Sequence, residues 1–149
     1  MNINKYYVVI CNCYSGDDSV SVFWNEADAY RCMIAEMETE IANLQNSGYE
    51  FVSAENDVSA ELYVPDSDIY FEWDIKEMEY SLTEGRYGNV WISTTPDCYE
   101  NEGGYYCEVY SDRDMTNRID YFCIHPEDCD CDNDEEVEKF IAWYAMEYN

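Results

Sequence analysis

Hydrophobic and polar positions follow two different periods along this chain. Tyr6 to Cys13 (YYVVICNC) is a continuous apolar run, the pattern of an inner strand covered on both faces. The segment 19–24 (SVSVFW) supplies its hairpin partner across Ser15, Gly16, Asp17 and Asp18. Asn25 then stands as the N-cap of a helix over 26–46, where Tyr30, Ile34, Met37, Ile41 and Leu44 recur at steps of four and three and Gly48 is placed to stop it. That stripe predicts a core face, with Glu36, Glu40 and Asn43 on the solvated side. Short strands are predicted at 49–54 and 59–64. From Asp68 to Ile75 the period is two: Ile69, Phe71, Trp73 and Ile75 face a core, and Asp68, Tyr70, Glu72 and Asp74 face outward.

Residues 78–83, 88–95, 104–110 and 118–125 read as four more strands, joined by turns at 84–88, 96–103 and 112–117. A last helix is predicted to begin near Asp132, whose spacing to Glu135 has the form of a capping box, and to bury Val137, Phe140, Ile141, Tyr144 and Tyr148. This order predicts a single α+β domain over 1–149, a twisted antiparallel sheet of about six to eight strands with two amphipathic helices packed on one face and the other face wet. No fixed-period repeat is present.

Charge changes the picture. Against 34 Asp and Glu stand 7 Lys and Arg, a formal net charge of −27. Disordered acidic segments are poor in aromatic residues, whereas here 16 Tyr, 5 Phe and 4 Trp are threaded among the carboxylates, so a folded chain is expected. Solubility asks for a net charge of magnitude only about 2 to 8 on a small domain. The excess repels itself, and two settings select for it: a high-salt cytoplasm, or a task that uses the negative field. The Tyr and Cys content favours the second.

Candidate chemistries are few. In 123–136, Asp128, Asp130 and Asp132 fit the first positions of a calcium loop, but Asn133 replaces its glycine and Lys139 its bidentate glutamate. Cys123, His125, Cys129 and Cys131 are metal-ligand types at a spacing that matches no standard zinc site. The alternative to an acidic loop at a helix N-terminus is thus a metal- or redox-responsive binding module over 123–134. His125 is the only histidine, beside Pro126, and nothing marks an oxyanion hole; a Gly-rich phosphate loop is also lacking. No enzyme, cofactor or metal is expected. Cys11, Cys107 and Cys123 fall in strand patterns and Cys32 in a helix, as buried reduced thiols do. The apolar run at 6–13 is too short to span a bilayer and lacks a cleavage pattern, so a cytoplasmic protein without membrane contact is expected, in a bacterial host if phage-encoded.

What remains is the field. Carboxylates two apart on a strand lie about 6.6 Å apart on one face, the scale of successive phosphates along a nucleic acid. Asp68, Tyr70, Glu72, Asp74, Glu77 and Glu79 alternate anions with a ring, and Tyr106, Glu108 and Tyr110 repeat the mixture. A third anionic block is Glu127, Asp128, Asp130, Asp132, Asp134, Glu135 and Glu136. Guanidinium pairs with carboxylate as with phosphate and stacks on Tyr. In size, charge and Asp/Glu/Tyr content the whole chain resembles the acidic nucleic-acid mimics that phages and mobile elements make against restriction enzymes and CRISPR effectors. The resemblance includes no aligned motif and transfers no residue. It implies a stoichiometric inhibitor whose partner is a basic nucleic-acid-binding protein such as a Cas effector or restriction enzyme, with no direct contact to nucleic acid.

Overall fold

A computed structural model describes residues 4–96 and 103–149, so most of the turn expected at 96–103 lies outside the described residues. The elements are β1 (Asn4–Cys13), β2 (Ser19–Phe23), α1 (Glu26–Asn46), β3 (Val52–Glu55), β4 (Ser59–Tyr63), β5 (Tyr70–Ser81), β6 (Arg86–Tyr87), β7 (Val90–Pro96), β8 (Tyr105–Tyr110), β9 (Arg118–Ile124), α2 (Asp134–Ala145) and a 3₁₀ turn (Met146–Tyr148). The class is α+β, with antiparallel strands and two α-helices among the described residues. Those residues form nine strands rather than six to eight, the count raised by the two-residue β6. The chain divides into two compact units, one running from Lys5 to Glu77 and the other built mainly of Met78–Asn149.

In the Lys5–Glu77 unit the strands are ordered β2-β1-β5-β4-β3. The β1/β2, β3/β4 and β4/β5 pairings are antiparallel. Val8 and Val9 point to opposite faces of β1 and both are buried, as the continuous apolar run predicts; in the middle of β1 neither face is wet, while Asn4, Lys5 and Asn12 are exposed. Asn25 caps α1 by accepting the Asp28 N–H at 2.8 Å, which satisfies one of the orphan donors of the first turn. The fully buried stripe of α1 is Ala29, Met33, Met37 and Leu44, which share a core with Val9, Leu62 and Trp73. Ile34 and Ile41 flank it half-buried, and Tyr30 is exposed at 37%. Met37 and Leu44 thus stand where expected, while in the first turns the buried positions shift by one, from Tyr30 and Ile34 to Ala29 and Met33. The small Ala29 and unbranched Met33 let the helix approach the strands, and the larger Tyr30 is turned outward to reach Glu55 with its hydroxyl.

The segments 68–75 and 78–83 form one strand, β5. Its buried positions are Phe71 and Trp73, then Met78 and Ser81, with Lys76 and Glu77 both exposed between them. The alternation changes phase at that charged doublet, which is why the pattern reads as two strands.

In the second unit the end of β5 continues into an antiparallel meander through β6, β7, β8 and β9, with an irregularity at Val109/Tyr110. Val90, Ile92, Cys107, Val109, Phe122 and Ile124 are buried, as are Val137, Ile141, Ala142 and Ala145 of α2. The helix packs on β9: Phe122 stacks on Tyr144 at 3.9 Å between ring centroids. Phe140, Tyr144 and Tyr148 are half-buried rather than core. The cap of α2 is Asn133, not Asp132. Its side-chain oxygen accepts the N–H groups of Glu135 and Glu136, while Asp130 takes the Asp132 N–H at 3.1 Å.

Candidate functional site

The three anionic blocks differ in how much of their charge the chain itself answers. On β5, Tyr70, Glu72 and Asp74 are exposed, and the β4 register places Tyr63, Glu61 and Ser59 directly opposite them. Directly opposed side chains share a face, so Glu61 and Glu72 form a like-charged cross-strand pair beside the Tyr63 and Tyr70 rings. A hollow of about 390 Å³ borders this end of the β3–β4–β5 strands, with Glu55, Glu61, Glu72 and Asp74 among its lining residues. The hairpin loop shaping one end is tied by Asn56, whose side-chain oxygen accepts the Val58 and Ser59 N–H groups at 2.9 Å. Among the described residues, Glu61, Glu72 and Asp74 form no ion pair. Glu61 and Tyr63 come from a sequence segment with no alternation of its own, and only the β4–β5 register shows that they belong to this face; Glu55, partnered with Ala60, lies on the other face, where the Tyr30 hydroxyl reaches it.

The remaining residues of that predicted strip lie elsewhere. Asp68 sits in the turn before β5, where Ser67 donates to the Val64 carbonyl. Glu77 is answered by Lys5 at 3.3 Å and receives the Tyr7 hydroxyl at 3.4 Å. Burial first, and then the Glu77 and Glu26 charges, push the Tyr7 phenol up. Glu79 lies 3.9 Å from Arg86.

Tyr106, Glu108 and Tyr110 are half-buried on β8, a strand flanked by β7 and β9. Glu108 pairs with Arg118 at 3.0 Å, and the same guanidinium donates to the Tyr106 hydroxyl at 3.5 Å and lies 5.7 Å from the Tyr121 ring centroid. Burial and the Glu108 carboxylate raise the Tyr110 phenol. This block is internally compensated. It also displays, within one chain, how a guanidinium engages a carboxylate flanked by tyrosines.

The third block is largely spent on local structure. Asp128 accepts the His125 N–H at 2.8 Å, and Asp130 closes the turn before the cap. Asp134, Glu135 and Glu136 occupy the first turn of α2, where the helix dipole favours anions. Glu127 and Asp132 are exposed in the loop. Cys131 is buried with its thiol 3.7 Å from the His125 carbonyl. Burial, and secondarily Cys131, push the Cys129 thiol up to about 11, so in the metal-free chain it is a neutral thiol near pH 7. Among the described residues no three His, Cys, Asp or Glu side chains converge on a metal position, and the described cysteines are free thiols. Among the described residues no helix is long and apolar enough to cross a membrane. Compared with known proteins, the chain matches no family model, no curated protein and no solved structure.

Proposed function

We propose that this chain is a non-catalytic binding protein that occupies a basic nucleic-acid-binding surface on another protein, a CRISPR effector or restriction enzyme being the concrete class, without binding nucleic acid itself. The observation that carries the reading is the β4–β5 face. Glu61 and Glu72 stand opposed with Asp74 beside them and form no ion pair among the described residues. Opposed like charges destabilise a sheet, so a face that keeps them is suited to cations supplied from outside. Arginine fits best, since its planar fork pairs with carboxylate and stacks on Tyr63 or Tyr70.

The test is competition. A panel of purified restriction enzymes and CRISPR effectors is incubated with labelled target DNA and rising amounts of the chain, at low and at high salt. The reading expects at least one enzyme whose DNA binding is displaced, more weakly as salt rises, and an E61Q/E72Q/D74N variant that displaces at least tenfold less well. Inhibition that is indifferent to salt and to the triple change would exclude this face and this mechanism.

A further inference from the structure

A second hollow, of about 370 Å³, opens in the Lys5–Glu77 unit between the β1–β2 turn, the middle of α1 and the start of β5. Its lining combines aromatic rings with carboxylates. Phe71 and Trp73 line it with their rings 5.8 Å apart and 14° from parallel, and Tyr14 meets Phe71 edge-on at 5.6 Å. Asp17, Glu36 and Glu40 supply three carboxylates, the last two one helical turn apart on α1. The Trp73 indole N–H donates to one Glu36 oxygen at 3.1 Å, which orients the carboxylate. This corrects the expectation that Glu36 and Glu40 merely face solvent: both are only partly exposed.

The floor is chemically quiet. Burial, followed by the Glu36, Cys13, Asp18 and Glu40 charges, pushes the Cys11 thiol up to about 12, so it is a neutral wall and not a nucleophile. A bare metal ion is a poor occupant, because no three ligating side chains converge among the described residues. A neutral ligand would cover carboxylates without pairing them, which is costly. A cation with flat apolar faces meets both kinds of lining at once: its edge pairs with carboxylate and its face lies on the exposed Tyr14 ring. The volume is at the lower end of ligand cavities, about 300–1,000 Å³, and suits one small head group. Arg118 against Glu108, Tyr106 and Tyr121 shows the same chemistry satisfied internally. We propose that this hollow binds an alkylguanidinium, the head group of arginine. The site is independent of the β4–β5 docking face, although Trp73 borders both hollows.

The experiment follows the assigned Trp73 indole N–H resonance in the ¹⁵N-labelled full chain during titration with ethylguanidinium chloride, with neutral N-ethylurea and sodium chloride as controls. Ethylguanidinium is expected to shift that resonance saturably with a dissociation constant of about the millimolar order, fitting for so small a ligand, and ethylurea is not. The E36Q/E40Q variant, in which the amide oxygen at position 36 still accepts the indole N–H, should lose at least tenfold in affinity, whereas E61Q/E72Q should not. A blocked Gly-Arg-Gly peptide that binds as well as ethylguanidinium identifies the source as a protein-borne arginine; a peptide that is excluded identifies a free small guanidinium. Equal binding of ethylurea, an unaltered affinity in E36Q/E40Q, or loss only in E61Q/E72Q would overturn the assignment.

Discussion

Substituting Glu61 with Lys should stabilise the fold while weakening the proposed binding. Glu61 and Glu72 are register partners on β4 and β5, and opposed Cβ atoms lie about 4.5–5.5 Å apart. With the carboxylates about 6 Å apart, Coulomb's law gives a repulsion of about 0.7 kcal/mol at the dielectric of water, inside the range of about 0.2–1 kcal/mol for cross-strand pairs. Reversing one sign removes that repulsion and adds a comparable attraction, so the gain is about 1 kcal/mol at low salt. For a chain of this length it corresponds to about 3 °C in Tm. Lowering the net charge helps everywhere on so acidic a chain, so Glu38→Lys, at an exposed position of α1, is the control. Thermal unfolding in about 10 mM and 1 M salt separates the contributions, because the Debye length falls to about 3 Å at 1 M. E61K should exceed E38K at low salt, and the excess should vanish at high salt. An E61K protein no more stable than E38K, or an excess that persists in 1 M salt, would refute the assignment of Glu61 and Glu72 to one unanswered face.

Other predictions concern the second unit. Tyr148 donates its hydroxyl to Asp120, and that bond, with the Tyr121 N–H, holds the Asp120 carboxyl below its usual range. A depressed folded pKa adds stability that is present above the unfolded value near 4 and lost as pH falls through the folded one. Tyr148→Phe should therefore cost about 1 kcal/mol at pH 7, discounted for solvent exposure, and the difference from wild type should shrink in acid denaturation series. Gly85 adopts φ +68°, and a Cβ there would stand 2.6 Å from the Ile92 carbonyl oxygen, so Gly85→Ala should cost about 1–3 kcal/mol by urea unfolding. Asn133→Ala removes the α2 cap and should cost about 1 kcal/mol, whereas Asp132→Ala, which leaves that cap in place, should cost clearly less in the same assay.

Element types were legible because the periods are clean: α1 with its Asn25 cap, the 6–13 run and the alternation at Phe71 and Trp73 stand where the pattern puts them. The misplacements share one cause, a local tie that only packing breaks. On α1 either Tyr30 and Ile34 or Ala29 and Met33 continue the stripe of Met37 and Leu44 at helical spacing, and the pair with the small Ala29 wins because it lets helix and strands come close. At α2, Asp130, Asp132 and Asn133 all have capping chemistry, and the first two are drawn into the preceding turn and loop. The site was legible in part for a related reason. A run of carboxylates announces negative charge, but whether that charge is available depends on which cations the register delivers to it. Lys5 comes to Glu77 across about seventy residues and Arg118 comes to Glu108 from the neighbouring strand, so the end of one predicted stretch and the carboxylate of another are answered internally. Glu61, which no alternation singled out, is brought opposite Glu72. The functional content of an acidic chain therefore lies less in its net charge than in which carboxylates its register leaves without an ion pair, and among the described residues Glu61, Glu72 and Asp74 on β4 and β5 are such carboxylates, beside two tyrosines.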